Sequence, residues 1–325
     1  MHAKPMHVLG VAAVTALLMA GAAIRLVPAA EPARPQPGSV EVLHESFKAV
    51  ADAGTQVRQV ASGHKFTEGP TWYNAEACLL FSDIPANRIY KWTEAGGVIV
   101  WREPSHNTNG NTTDSEGRLV SCEHGSRRVT RTVRDRTVEV LCSTYKGRRL
   151  NSPNDVAVKR DGTIWFTDPP YGIKPGQVEQ DANYVFRLDP GAKEPVAVAS
   201  DFARPNGICF SPDEKVLYVA DSDRGKHHVR RFQVQKDRTL AGGEVFCTIE
   251  PGVPDGIRCD ADGRLYVSAG DGVQVFSPAG RLIGKIRTPL SAANCAFGGA
   301  DGKTLFITAR TGVWAVGLKV KGSGF

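Results

Sequence analysis

Short apolar runs separated by polar turns follow one another along the chain from about residue 60 to its end. Six segments share one plan, in which a polar or acidic residue leads into a short apolar strand, a tight turn and a second apolar strand. The turns are rich in Asp and Gly, which tolerate positive φ and close local hydrogen bonds. The segments begin at Glu68, Asn109, Asn154, Asn206, Asp255 and Asn294.

The second apolar strand of each segment is the clearest part of the repeat. These strands are predicted at Leu79–Asp83, Leu119–Cys122, Ile164–Asp168, Leu217–Asp221, Leu265–Ser268 and Leu305–Thr308. Successive segments begin 41, 45, 52, 49 and 39 residues apart, which fits one four-stranded propeller blade each. The pattern therefore predicts an all-β fold, a six-bladed β-propeller, in which Gln56–Ala61 adds a strand to the last blade and closes the ring.

The N-terminus has the layout of a secretory signal peptide. Met1–His7 carries one lysine and no acid, Val8–Ile24 is apolar and uncharged, and small residues follow. We predict a signal peptide at 1–30, a linker at 31–50 and the propeller domain at 51–325. The mature protein would then be periplasmic or secreted, with no membrane association. The alternative is a retained anchor, since the apolar run is close to spanning length.

Charge and cysteine content narrow the choice of partners. Removing Lys4 and Arg25 with the leader lowers the formal net charge from +6 to +4, and the basic residues are scattered. A nucleic-acid surface would need a concentrated basic stripe, so no nucleic-acid partner is predicted.

The seven cysteines include no CxxC pair and lie among apolar residues, as buried small hydrophobes do. Their odd number leaves at least one unpaired, and an oxidising compartment would permit one bridge.

The first residues of the six segments suggest a central metal site. The innermost strands of a propeller run along its central channel, so equivalent strand ends meet at one mouth. Two carboxylates and four amides would then form a ring of oxygen ligands, which hard cations take, calcium above all. Zinc would prefer His or Cys. Asn and Asp before Gly are also common turn residues, which is the alternative explanation for each position alone.

Several stretches resemble the gluconolactonase branch of the SMP-30/gluconolactonase/luciferin-regenerating family. They include Glu68-Gly69-Pro70, Cys122–Gly125 with Arg127–Arg131, Asn151–Val156, Phe166–Gly172, Arg204–Gly207 and Pro254-Asp255-Gly256. The resemblance implies a six-bladed propeller with one divalent metal, held by Glu68, Asn154, Asn206 and Asp255. It implies that Asp255 is also the catalytic acid/base, and that Asn109, Asn111 and His124 form the substrate side of the pocket.

The same resemblance leaves the substrate and the metal open. Regucalcin-like members carry an arginine two residues before the asparagine that begins the third segment, here Asn154, and that arginine meets the sugar; this chain has Ser152 at that place. Calcium is the expected ion, with zinc, manganese and magnesium as alternatives.

The predicted activity is hydrolysis of a small lactone, such as a sugar lactone. A metal can polarise the carbonyl while Asp255 takes a proton from water and returns it to the leaving alkoxide. No G-x-S-x-G nucleophile motif is present, and this mechanism needs no covalent nucleophile. The alternative is a non-catalytic propeller that binds a sugar, peptide or protein and keeps calcium for rigidity, because fold alone does not decide function.

Overall fold

The computed structural model describes residues 38–133 and 136–324, which form antiparallel β-strands almost throughout. The helices in these residues are three short 3-10 turns, at Glu45–Ala49, Asn74–Glu76 and Pro175–Gln177. Within the same residues, no helix has the length and apolar character needed to cross a bilayer. The all-β prediction is confirmed, and the predicted signal peptide lies outside the described residues.

The strands follow one another at short intervals. They are β1 (Gly38–Val42), β2 (Gln56–Ala61), β3 (Thr67–Tyr73), β4 (Cys78–Asp83), β5 (Arg88–Thr93), β6 (Gly97–Arg102), β7 (Thr108–Thr113), β8 (Leu119–Glu123), β9 (Arg128–Thr132), β10 (Val138–Cys142), β11 (Thr144–Tyr145), β12 (Arg148–Arg149), β13 (Val156–Val158), β14 (Ile164–Asp168), β15 (Tyr184–Leu188), β16 (Val196–Ala199), β17 (Pro205–Phe210), β18 (Val216–Asp221), β19 (His228–Val234), β20 (Leu240–Thr248), β21 (Ile257–Cys259), β22 (Leu265–Ala269), β23 (Gly272–Phe276), β24 (Leu282–Arg287), β25 (Asn294–Gly298), β26 (Thr304–Ala309) and β27 (Gly312–Gly317). All six predicted second strands are present, as β4, β8, β14, β18, β22 and β26.

The strands form sheets of consecutive neighbours. Four-stranded sheets consist of β3–β6, β7–β10, β13–β16 and β17–β20, and β11 with β12 forms a small ribbon. The remaining strands form one sheet in the order β21-β22-β23-β24-β1-β2-β27-β26-β25. In it β2 pairs with β27, with Arg58 opposite Ala315, so the predicted closing strand is confirmed. This architecture is consistent with a β-propeller.

The apolar core lies between neighbouring sheets. One cluster joins Val120 and Cys122 of β8 to Phe166 and Phe186 of the following sheet. The next joins Trp165 of β14 to strands β17 and β18. The second strand of each sheet is covered on both faces, as β4 illustrates with six buried residues in succession. This burial explains why these strands are continuous apolar runs rather than alternating ones.

The first strands of the sheets meet in the centre of the molecule. Strand β3 contacts β7, and contacts continue through β13, β17, β21 and β25 back to β3. The six residues that begin the sequence repeat lie at or just before the starts of these strands. The fold therefore brings them to one end of a shared axis.

The folded domain begins earlier than the predicted boundary at residue 51. Strand β1 lies inside the predicted linker at 31–50 and pairs with both β2 and β24. Phe47 and Val50 are fully buried in the adjoining core, so the segment gains apolar burial that a free linker would lack. All seven cysteines are buried and unpaired, in agreement with the simpler of the two sequence interpretations.

A candidate metal and substrate site

Five of the six repeat-leading residues line one cavity. The cavity has a volume of about 460 Å³, and its polar wall includes Glu68, Asn109, Asn154, Asn206 and Asp255. The four predicted metal ligands therefore come together, from four different sheets. The sixth position, Asn294, is buried behind Glu68 and donates from Nδ2 to its Oε2 at 3.0 Å. It supports a predicted ligand and does not line the cavity.

A repeated carboxylate fixes the loops that carry three of these residues. Asp83, at the end of β4, accepts hydrogen bonds from the backbone N–H groups of Lys65 and Phe66, just before Glu68. Asp168 accepts from residues 151 and 152, before Asn154, and Asp221 accepts from residues 203 and 204, before Asn206. The aspartate that ends each of these three second strands is thus a positioning group, because it fixes the backbone two residues before a predicted ligand.

The glycines that follow the leading residues let adjacent sheets approach closely. The N–H of Gly110 donates to the carbonyl of Asn154 at 2.8 Å, and that of Gly207 to the carbonyl of Asp255 at 3.2 Å. A Cβ at Gly207 would lie 2.2 Å from the Asp255 oxygen, which no side chain could occupy. These Asn-Gly pairs are therefore sites of contact between sheets, and the turn explanation does not account for them.

The amide side chains form a hydrogen-bonded chain around the cavity. Asn109 Nδ2 donates to Asn154 Oδ1 at 2.7 Å, and Asn154 Nδ2 donates to Asn206 Oδ1 at 2.6 Å. Asn206 in turn hydrogen-bonds the carboxylate of Asp255. The oxygens of Asn154 and Asn206 each accept one bond from the preceding amide, and an amide oxygen has two lone pairs. The chain thus fixes the orientation of the oxygens of Asn154 and Asn206.

The two carboxylates of the cavity are electrostatically disfavoured in their charged forms. Burial, followed by the nearby Asp155 charge, raises the pKa of Asp255 to about 7, although the hydrogen bond from Asn206 opposes this. Burial and the charge of Asp255 raise the pKa of Glu68 well above its ordinary value. Among the described residues, neither carboxylate has a Lys, Arg or His partner in an ion pair. Two such groups need either protons or a cation.

These residues fit a hard divalent cation. The structure describes no group of three or more His, Cys, Asp or Glu side chains placed to hold a metal, so a site here must also use amide oxygens. Glu68 and Asp255 supply two negative charges, and Asn154 and Asn206 supply oriented neutral oxygens. That set suits calcium or magnesium better than zinc.

His124 and Asn109 line one side of the cavity. His124 Nε2 lies 3.3 Å from both Asn109 Nδ2 and Asn154 Oδ1, so its tautomer decides which bond it makes. Burial lowers the pKa of His124 to about 4, which leaves the imidazole neutral near pH 7. A neutral ring with one donor and one acceptor suits recognition of a hydroxyl group.

The prediction that Asn111 forms part of the pocket wall is wrong. Its side chain is fully buried and donates to Gly69 O, Ser82 Oγ and Asn109 O, while its Oδ1 accepts from Ser121 Oγ. These bonds join β7 to β3, β4 and β8. Asn111 is a structural residue behind the site.

Other wall residues had no distinct signal in the sequence. Phe66, Ile84, Pro85 and Val253 supply apolar surface. Tyr171 also lines the cavity, as does Ser222. These residues come from separate loops, so no spacing along the chain links them.

The fold and the cavity together define a β-propeller-like protein with an oxygen-lined axial site. Residues 66–311 match the SMP-30/Gluconolactonase/LRE-like region, and the chain belongs to that family. It is 34% identical over 317 residues to a gluconolactonase of Zymomonas mobilis, covering 88% of this chain and 87% of that protein.

Solved structures of other proteins are also similar to this chain. A gluconolactonase from Xanthomonas campestris has 38% identity and a TM-score of 0.81, over 90% of this chain and 99% of the other. A calcium-binding regucalcin from Agrobacterium tumefaciens has 21% identity and a TM-score of 0.68, over 80% of this chain and 92% of the other, and shows the shared fold. Gluconolactonases among these relatives support lactone hydrolysis at the level of the family.

Proposed function

We propose that this protein is a six-bladed propeller that hydrolyses a small lactone with the help of one divalent cation, calcium in the first instance. The observation that carries the proposal is the pairing of Glu68 and Asp255 in one cavity, with no ion pair to a Lys, Arg or His among the described residues, beside an oriented chain of amides. The similarity to the Zymomonas mobilis gluconolactonase supports the reaction class.

Glu68, Asn154, Asn206 and Asp255 would hold the cation. When bound, a divalent cation at this place polarises an ester carbonyl and stabilises the negative charge that develops on its oxygen. Its charge also removes the repulsion between the two carboxylates. The amide chain fixes the neutral oxygens in advance, which lowers the cost of ordering the site when it binds.

Asp255 is the proposed acid/base. It is partly exposed at the cavity wall, whereas Glu68 is 3% exposed and constrained by Gly69 N–H and Asn294. Asp255 would take a proton from the attacking water at its carboxylate and return it to the alkoxide released from the ring. The C–O bond of the lactone breaks, a C–OH bond forms to the carbonyl carbon, and the product is a hydroxy acid.

The remaining wall residues would position the substrate. Neutral His124 and Asn109 would hydrogen-bond substrate hydroxyls on one side of the cavity. Phe66, Ile84 and Val253 would exclude water from the apolar part of the ring. We propose no covalent intermediate, because Asp255 and water suffice for both proton transfers.

A panel of lactones tests this function. Purified protein loaded with calcium should release acid from at least one small lactone in a pH-indicator assay, and excess chelator should abolish the release. Activity should return on adding back calcium or another divalent cation. A protein that binds calcium at this site but opens no lactone would instead be a binding propeller with a structural ion.

Export remains part of the proposal and depends on the leader at 1–30. We expect the mature N-terminus to lie at about residues 23–32, after the small-residue segment. Terminal sequencing of protein purified from its native host measures this directly. Recovery of residues 1–20 on membrane-extracted protein would contradict cleavage and favour an anchor.

A further inference from the structure

The candidate site opens into a second and larger cavity. This cavity has a volume of about 930 Å³ and shares Phe66, Val253 and Asp255 with the smaller one. A substrate whose reacting carbonyl lies at Asp255 can therefore extend into the larger space. Groups on the wall of this space would meet the part of the substrate remote from the reaction.

Three arginines on the walls of the two cavities lack hydrogen-bond and ion-pair partners. They are Arg204, in the smaller cavity, and Arg224 and Arg310, in the larger one. Every other arginine in 38–133 and 136–324 makes at least one side-chain hydrogen bond or ion pair. Within the described residues, the arginine side chains without such a partner therefore all line these two adjoining cavities, whose shared opening we call the mouth.

Two of these arginines are supported by aromatic rings. Arg204 lies over Tyr171 at 5.8 Å and Arg310 over Phe66 at 5.7 Å, and both rings line the cavities. Stacking on a ring face positions a guanidinium and leaves its N–H groups free to donate in the ring plane. The donors of Arg204 and Arg310 are therefore free for a ligand.

The charges facing these arginines leave the mouth positive. The acidic residues that line the larger cavity are Glu250 and Asp255. His227 also lines it, and its Nδ1 lies at hydrogen-bond distance, 3.0 Å, from the carbonyl oxygen of Ile249. With Glu68 and Asp255 neutralised by a divalent cation, three arginines face one glutamate. A cleft of this sign concentrates anions and speeds their association.

We infer that the mouth recognises an anionic group, so that the preferred substrate is a lactone that also carries a carboxylate or a phosphate. The inference rests on the proposed lactonase function and specifies its substrate class. The reacting carbonyl would lie at Asp255, and the anionic group would lie among Arg204, Arg224 and Arg310. Carboxylate and phosphate share the planar or trigonal oxygens that guanidinium groups bind in pairs.

The test compares three lactones of similar size with the calcium-loaded full-length protein. D-glucono-δ-lactone is neutral, a glucaric acid lactone carries a carboxylate, and 6-phosphogluconolactone carries a phosphate. We expect kcat/KM for at least one anionic lactone to exceed that of the neutral one by about tenfold or more at low ionic strength. The preference should shrink at high salt because screening weakens exposed charges.

Arginine variants locate the effect. Arg204→Gln and Arg224→Gln each remove a charge from an exposed side chain, and Arg310 is left intact because its charge also acts on Asp255. We expect at least one of the two variants to raise KM for the anionic lactone by about tenfold while changing the neutral lactone by less than about twofold. Arg160→Gln is the control, because Arg160 is exposed and follows β13 at the end opposite Asn154. It should change neither substrate.

The outcomes separate this inference from the proposed function. Hydrolysis of the neutral lactone with no preference for either anionic one overturns the inference and leaves the function intact. Equal losses on neutral and anionic lactones in the arginine variants also overturn it. If metal-loaded protein opens none of the three, nor any lactone of a wider panel, the proposed function itself fails.

Discussion

Asp255→Asn is expected to lower kcat for a responsive lactone by about 10²–10⁴-fold while the cation remains bound. The amide keeps an oxygen ligand and nearly the same volume, but it cannot accept the proton of the attacking water. The neighbouring residues should keep their places, because Gly207 N–H bonds the backbone carbonyl of Asp255 and not its side chain. The measurement is turnover at saturating cation, with metal occupancy determined independently.

Glu68→Gln is the matched control for this variant. It also removes a carboxylate from the cavity, but Glu68 is more deeply buried and is constrained by Gly69 and Asn294. We expect it to weaken cation affinity, so that excess cation restores much of the activity. Near-wild-type turnover of metal-loaded Asp255→Asn would show that Asp255 is a ligand alone and would refute the proposed proton transfer.

In cation-free protein, the titration of Asp255 should oppose folding increasingly as the pH rises from about 4 to about 7, while buried His124, whose pKa is lowered to about 4, acts in the opposite direction over part of this range. Burial first, and then Asp155, raises the folded-state pKa of Asp255 to about 7, whereas an unfolded Asp has a pKa of about 3.9. Between these values Asp255 binds more protons in the folded state than in the unfolded state, so its contribution to the free energy of unfolding falls with rising pH. One such proton contributes at most about 1.4 kcal/mol per pH unit, and Glu68 acts in the same direction.

The bound cation should reverse this loss. A cation that replaces the protons and binds only the folded state stabilises it by about 2.7 kcal/mol at a hundredfold excess over its Kd. The difference in melting temperature between loaded and chelated protein should therefore widen from pH 5 to pH 8. Chelated Asp255→Asn, which has one titrating group fewer, should have a flatter pH profile. Identical melting curves for verified metal-free and metal-loaded protein at pH 8 would contradict the metal site.

The sequence predicted the parts of the fold that burial makes repetitive. Strands β4 and β14 are covered on both faces, and this produces the continuous apolar runs that were recognised. Strand β1 was missed because Gly38–Val42 is a five-residue segment directly after a proline-rich stretch. Only its pairing with β24, far away in the chain, distinguishes it from a linker.

The sequence repeat predicted those residues of the candidate site that begin equivalent strands. Glu68, Asn154, Asn206 and Asp255 occupy equivalent strand starts, so alignment of the repeat brought them together. Asn111 was assigned to the pocket by the family resemblance, and strand alternation would also direct residues 109 and 111 of a regular strand to the same face. The pairing of β7 with β8 shifts register between Thr108 and Asn111, and such a bulge changes which side chains face the cavity.

The arginines of the mouth had no sequence signal. Arg204, Arg224 and Arg310 follow or precede different strands and share no spacing. Their common property is that they lack the partners that other arginines have, and this can be recognised only when all side chains are placed. Specificity is therefore the part of the function that depends most on tertiary structure.

The pairing of β2 with β27 sets the order in which the molecule can be completed. A ribosome makes residues 56–61 long before residues 312–317, yet the two segments share one ladder. Strand β2 can pair with β1 as soon as both are made, but its other edge has no partner until β27 has been made. Earlier sheets can form as they emerge, but the final contact has the largest sequence separation and the slowest closure. A nascent chain that lacks β27 therefore cannot form the pairing that joins β2 to the last sheet, and deletion of β27 would remove that pairing permanently.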